Sequence, residues 1–256
     1  MKQKILNFVK NILRKTGFII IRPKDSSLIK DIKKIFLHNE RSFVYGLRKY
    51  LVDSLYCHAS PGVMELVVNN LNLFIKKDVS RNKLLNLGGG TGQVSKIYES
   101  LGFEVYNVDI EEKNIDKKHI QFDLNSTDHL PYQDNYFDVI VCSEIIEHIE
   151  NPWKLFRDVK KHLKESGLFV LTTPNIQSSF SKLKFLFLGY FHWFTPNCFS
   201  FHINPIFKWE VELIANKYDF KLEKICGSGD YYFNKNSGKL KKIMNKNESL
   251  IFFFKK

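Results

Sequence analysis

From about residue 60 onward, short apolar runs of strand character alternate with stretches of helical periodicity, and this alternation restricts the fold more than any other feature. The pattern predicts a helix over ELVVNNLNLFIKK, a strand at KLLNL, a helix opening after Gly92 and a strand at FEVYNVD. A short strand near HIQFD, a strand at YFDVIVC, a helix after Pro152 and a strand at LFVLTT follow. Strands joined by helical crossovers run parallel, and a parallel sheet needs cover on both faces. The class is therefore α/β. After a helix over residues 206–217, FKLEKIC and SLIFFFKK come without a helical crossover between them. They are expected to pair antiparallel, joined by the polar, lysine-rich segment 227–248.

A chain of 256 residues is long for one domain and short for two, so one domain with appendages is expected. The net charge of +12 is concentrated at the ends. Residues 1–34 hold ten Lys/Arg against Asp25 and Asp31, and residues 231–256 hold seven Lys against Glu248, leaving a nearly neutral middle. Ile5, Leu6, Val9, Ile12 and Leu13 recur at helical spacing, with Lys2, Lys4, Lys10, Arg14 and Lys15 largely off that stripe. Such a basic amphipathic helix suits peripheral contact with an anionic membrane through residues 1–22; packing on the domain with its lysines in water is the alternative. Residues 1–58 are read as a basic N-terminal extension and helical cap, and 59–256 as the main domain. Cys57, Cys142, Cys198 and Cys226 form no CxxC pair, which argues against a zinc cluster or a disulfide framework. With no signal-peptide pattern and no long apolar run, the expected place is the cytoplasm, at most peripheral to the inner face of the membrane. Nucleic acid is not an expected partner, since no binding module accompanies the basic ends.

The stretch LLNLGGGTG, residues 84–92, places a glycine-rich turn between a strand and a helix, where a ligand can approach the backbone. Gln93 at the sixth position departs from the dinucleotide fingerprint, and the G-K-[ST] ending of a phosphate-cradling loop is missing. Asp109 ends the next strand, where a carboxylate can accept both hydroxyls of a ribose. Asp123 follows the third strand, in a position suited to the exocyclic amine of adenine. Together they describe an adenosine site without a phosphate site.

With these residues in place, the chain from about residue 60 to its C-terminus resembles the class I S-adenosylmethionine-dependent methyltransferases. LLNLGGGTG resembles the family's first motif, VDI its ribose-binding acidic motif, and FDLNSTDHLPYQDNYFDVIVCSEIIEHIENP its third and fourth. GLFVLTTPN and SLIFFFKK resemble the fifth and the last strands. The resemblance implies a Rossmann-like, seven-stranded, mostly parallel sheet with an antiparallel last strand and helices on both faces. It further implies that S-adenosyl-L-methionine is held by Gly88, Gly90 and Gly92 at its methionine part, Asp109 at the ribose, and Asp123 with Leu124 at the adenine. Asn86 stands where the family usually has Asp or Glu; it keeps an acceptor for the cofactor's ammonium group but not the charge, or else it merely closes the turn.

Methyl transfer from a sulfonium is an in-line displacement, and an alcohol acceptor must also lose its proton. In SEIIEHIENP, Glu144, Glu147 and His148 stand at i, i+3 and i+4, so on one helical turn they can converge on a metal. His202 lies in the long region before the final helix. Glu144, Glu147, His148 and His202 are similar to the magnesium site of small-RNA terminal 2′-O-methyltransferases, and E-x-x-E-H also occurs in ubiquinone-biosynthesis O-methyltransferases. This implies an optional Mg2+ that would acidify an acceptor hydroxyl. The alternatives are that His148 or His202, with Glu144, acts as a plain catalytic base, or that the histidine satisfies a loop carbonyl. Asn151 and Pro152 read as N-cap and first residue of the next helix.

Residues 176–204 carry Phe180, Phe185, Phe187, Phe191, Phe194, Phe199, Tyr190 and Trp193, too apolar for a solvated link. They are read as an aromatic lid or acceptor insertion, either packed on its own domain or dipping into a membrane. The leading functional expectation is O-methylation of a small or lipid-linked hydroxylated acceptor, such as a glycan precursor or a quinone-like ring. A metal-dependent RNA 2′-O-methyltransferase and a non-catalytic membrane- or subunit-binding module are the alternatives.

Overall fold

The computed structural model describes residues 59, 63–74, 82–90, 92–111, 118–228, 231–234, 239–242 and 248–256. The N-terminal amphipathic helix and the cap expected over 1–58 lie outside these residues, apart from residue 59. The described chain begins with α1 (Val63–Phe74), β1 (Lys83–Leu87), α2 (Gln93–Ser100), β2 (Glu104–Asp109), β3 (His119–Gln121) and β4 (Phe137–Ser143). A single 3-10 turn at Ile146–His148 leads to α3 (Pro152–His162) and β5 (Leu163–Pro174). Then come α4 (Ser179–Leu188), α5 (Lys208–Lys217), β6 (Lys221–Ser228), β7 (Tyr231–Asn234), β8 (Lys239–Lys242) and β9 (Ser249–Lys255).

Seven strands form one sheet in the order β3-β2-β1-β4-β5-β9-β6. The first five are parallel to their neighbours, while β9 runs antiparallel to both β5 and β6. The expected architecture is therefore found. The segment expected only as a polar connection adds a separate two-stranded ribbon, β7 paired antiparallel with β8. The order of strands reverses between β1 and β4, and α/β folds open their ligand crevice at the carboxyl edge of such a pair.

The sequence of β9 follows from its position. All three of Phe252, Phe253 and Phe254 are fully buried, because this strand lies between β5 and β6 with cover on both faces. Phe252 and Phe254 join Leu85, Ile140, Phe169 and Leu171 in one cluster with Phe156 and Val159 of α3 and Val211 and Ile214 of α5. α1 packs against β5, β6 and β9, and its Val63, Val67, Val68 and Leu71 are wholly buried. Burying one Phe contributes roughly 1.5–3 kcal/mol, so this triplet alone anchors the C-terminus.

α3 starts as expected: the Asn151 side chain accepts a hydrogen bond from Lys154 N, and Pro152 occupies the first turn, where its missing N–H is harmless. Lys160, Lys161 and His162 close the helix at the negative end of its dipole. Among the described residues no helix is long and apolar enough to cross a membrane.

Candidate active site

The glycine turn lies at the tip of β1, and its geometry gives each glycine a separate reason. Gly88, Gly90 and Gly92 have φ of 72°, 50° and 83°, a left-handed region that costs other residues about 1 kcal/mol. At Gly88 a Cβ would also lie 2.1 Å from Ile145 Cδ1, so the turn is packed directly on the segment that follows β4. At Gly90 a Cβ would meet nothing within 4 Å, which leaves the backbone bare toward open space. Gly90 N–H donates to Asp109 Oδ2 at 2.7 Å and Glu111 N–H to Oδ1 at 2.9 Å. The carboxylate is thereby fixed beside the turn with lone pairs to spare.

Asn86 points into the molecule. Its Nδ2 donates to Ser95 Oγ at 3.2 Å and to Asn107 Oδ1 at 3.3 Å, and Ser95 Oγ also donates to Asn107 Oδ1. This buried trio ties β1, α2 and β2 together beneath the turn. Asp123 is exposed and caps its own loop, accepting from Asn125 N at 2.8 Å, while Leu124 packs against the core. Ile110, next to Asp109, keeps 62% of its surface exposed, an apolar plate on the same rim.

The expected convergence of Glu144, Glu147 and His148 on one helical turn requires correction. Glu144 has φ of 53°, and the short 3-10 turn begins only at Ile146, so the three residues do not share one helical turn. Its Oε1 accepts from Thr172 Oγ1 at 2.9 Å and its Oε2 from Ser249 Oγ at 3.4 Å. Burial raises its pKa to about 7, although both hydroxyl bonds oppose the shift. Glu147, His148 and His202 do converge, with ligand atoms all within 4.8 Å of one another; Glu144 is not part of this set.

Glu147 is almost completely buried. Thr173 Oγ1 donates to its Oε2 at 3.2 Å, while Oε1 has no hydrogen-bond partner. Desolvation, with the neighbouring Glu144 charge second, holds its pKa well above the ordinary carboxylate range. The two histidines are oriented alike. His148 Nδ1 lies 2.7 Å from the carbonyl of Phe201, and His202 Nδ1 lies 2.6 Å from that of Trp193. A carbonyl can only accept, so Nδ1 carries the proton in each neutral ring and Nε2 is left as the base or ligand atom. Burial lowers the pKa of His202, against the opposing hydrogen bond to the Trp193 carbonyl and with a smaller push from the neighbouring His148.

Residues that sequence reasoning passed over hold this set in place. Ile203 N and Asn204 N both donate to the Glu147 carbonyl at 3.0 Å, and Asn204 Nδ2 donates to Ile149 O at 3.2 Å. Asn125 clasps the same segment, donating from Nδ2 to His148 O and accepting from Glu150 N. Two signals were available: Asn107 is a polar residue in an apolar strand, and Thr172 and Thr173 form a polar pair at the carboxyl end of another.

A family model described as a methyltransferase domain matches residues 62–225. The ubiquinone biosynthesis O-methyltransferase of Rickettsia typhi is 28% identical over 120 residues, 44% of this chain and 48% of that protein. The protein of the same description from Rickettsia bellii is 30% identical over 119 residues, 41% of this chain and 50% of that one. The chain thus spans about half the length of these curated relatives. Among solved structures, a SAM-dependent methyltransferase from Archaeoglobus fulgidus is 22% identical and superimposes with a TM-score of 0.52, covering 76% of this chain and 95% of that one. An S-adenosylmethionine-dependent methyltransferase from Mesorhizobium loti is 16% identical with a TM-score of 0.52, covering 76% and 99%. At these identities the likeness to solved structures is one of fold.

Proposed function

The chain belongs to the methyltransferase-domain family, and on that premise we propose that it transfers the methyl group of S-adenosyl-L-methionine to a hydroxyl of a small or lipid-linked acceptor. The names of the Rickettsia relatives support O-methylation, and a quinone-like ring is one acceptor of that class. The observation that carries the reading is the pairing of His148 and His202 beside Glu147, on a segment packed against the glycine turn through Ile145 and Gly88.

The residues present fit the cofactor. Gly90 leaves open space where any side chain would project, Asp109, bonded to the turn through Gly90 N–H, keeps lone pairs for ribose hydroxyls, and Ile110 and Leu124 supply apolar surface for a base. When bound, the cofactor supplies a methyl group on a positively charged sulfur. The work of the chain is then alignment and proton removal. A hydroxyl approaching from the side of the aromatic connection meets two imidazoles whose Nε2 atoms accept protons. His202, with its lowered pKa, stays neutral under conditions that protonate an ordinary histidine.

A second reading is favoured by one observation, the unpartnered Oε1 of buried Glu147. Glu147, His148 and His202 offer one carboxylate oxygen and two imidazole nitrogens, a set that could hold a divalent cation able to polarise an acceptor hydroxyl; with Glu144 outside it, these donors suit a nitrogen-accepting metal such as Zn2+ better than the expected Mg2+. Backbone carbonyls orient both rings through Nδ1, as the outer partners of metal-bound histidines do. Calorimetric titration with S-adenosylmethionine, followed by label transfer into lipid extracts and envelope glycans, tests the main reading; saturable binding without any labelled product would remove it. Turnover that survives EDTA assigns the proton to the histidines, and turnover lost to EDTA and restored by Zn2+ or Mg2+ assigns it to the cation.

A further inference from the structure

α4 ends in four consecutive apolar residues, and all four are exposed: Phe185 by 49%, Leu186 by 73%, Phe187 by 55% and Leu188 by 53%. Successive helical residues project about 100° apart, so these four surround the helix instead of forming a stripe. A folded protein partner covers one side of a helix, whereas a fluid apolar medium covers it all round. The helix ends at Gly189, in the left-handed conformation, and the chain then turns back. The apolar surface continues beyond that turn. Phe185 stacks on Phe191 with ring centroids 4.6 Å apart, Phe191 meets Phe207 at 6.1 Å, and Phe207 stacks on exposed Trp209 at 5.8 Å.

Residues 166–206, which include α4 and its tip, contain no Asp or Glu, although the whole chain has 27, and they carry Lys182 and Lys184. At the far end of the surface Lys208 is paired with Glu212 at 3.2 Å, so the excess positive charge lies on α4. Exposed Trp193 and Trp209 have the mixed apolar and hydrogen-bonding character that suits a headgroup region. We propose that α4 and the connection to α5 form a membrane-contacting prong that inserts its Phe185–Leu188 tip among the lipids of an anionic bilayer surface, with the lysines at headgroup level. The contact stands on surface composition and is independent of methyl transfer. One consequence does rest on the proposed transfer: the same connection supplies His202 and the carbonyls that hold both imidazoles, so docking brings the site to the lipid surface, where a lipid-linked acceptor resides.

The test is co-sedimentation of the full chain with vesicles of phosphatidylcholine alone and of phosphatidylcholine with about one-third phosphatidylglycerol, the anionic fraction that such attraction requires. Wild type is expected to bind the anionic vesicles, less so as salt is raised. L186S/F187S is expected to bind at least about tenfold more weakly, because two large apolar side chains lose their burial. Its affinity for S-adenosylmethionine, measured by calorimetry, should not change, which verifies folding and keeps this test separate from the enzymatic one. The proposal is overturned if wild type binds no vesicle, if neutral vesicles bind equally well, or if the double variant binds like wild type. It is also overturned if light scattering finds a wild-type dimer that the double variant dissociates, since a second copy would then be the occupant.

Discussion

His148 and His202 meet edge to face with ring centroids 4.8 Å apart, and each ring donates its Nδ1 proton to a carbonyl of the aromatic connection. The aromatic connection thus sets the tautomer of both rings, and the histidine pair and the connection form one structural unit.

His202→Ala and His148→Ala are expected to lower turnover by roughly 10²–10⁴-fold, the range for loss of a general base. Affinity for S-adenosylmethionine should stay within about twofold, because neither ring belongs to the glycine turn or the Asp109 rim; initial rates and calorimetry measure the two effects. The sign of the pH effect follows from the lowered pKa of His202. A base of lower pKa stays unprotonated to lower pH, so the acid limb of the wild-type rate profile should fall below pH 6.5, the ordinary histidine value, and move in His202→Ala.

Asp109→Ala removes the acceptor for Gly90 N–H as well as the proposed ribose contact. Weakening of S-adenosylmethionine binding by at least about tenfold is expected, as for loss of charge-assisted hydrogen bonds. Unchanged affinity in a titration would place the cofactor elsewhere.

Gly88→Ala and Gly90→Ala should differ in kind. Both carry the left-handed penalty of about 1 kcal/mol, but only at Gly88 does the new methyl strike Ile145. Thermal unfolding should find Gly88→Ala less stable by a further 1–3 kcal/mol or so, the usual cost of overpacking. Adding Ile145→Ala should recover part of that loss. Gly90→Ala should instead act mainly on cofactor affinity.

Glu144→Gln should change how stability depends on pH. The Glu144 pKa rises from 4.5 to about 7 on folding, so its neutral form is the one that folding favours. Its stabilising contribution is complete below about pH 4.5 and is lost as pH rises through about 7. Glutamine stays neutral, so denaturation midpoints of variant and wild type should lie close together near pH 5. At pH 8 the variant should be the more stable, by up to about 3 kcal/mol. A gap that does not vary with pH would mean that the carboxyl is already ionised in the folded protein.

The succession of strands and helices along the chain was readable from local pattern because period and turn chemistry are properties of neighbouring residues. The glycine turn, Asp109 at the end of β2 and the Asn151–Pro152 helix start could be recognised in the same way. The ribbon of β7 and β8 was not, since its lysine-rich residues carry no clear apolar alternation. Glu144 was placed in the convergent set for a related reason. Spacing of i, i+3 and i+4 brings side chains together only on a helix, and here the backbone turns left-handed at Glu144 before a single 3-10 turn forms.

By itself, the sequence determined the parallel sheet, the bare turn at its edge and the carboxylate beside that turn. Only the tertiary structure decided which acids and histidines meet. Glu147 and His202 are brought together by the Ile203 and Asn204 amides on the Glu147 carbonyl, and Glu144 is drawn off by Thr172 and Ser249. Backbone hydrogen bonds between distant segments have no signature in residue type, since every residue but proline offers the same donor and acceptor.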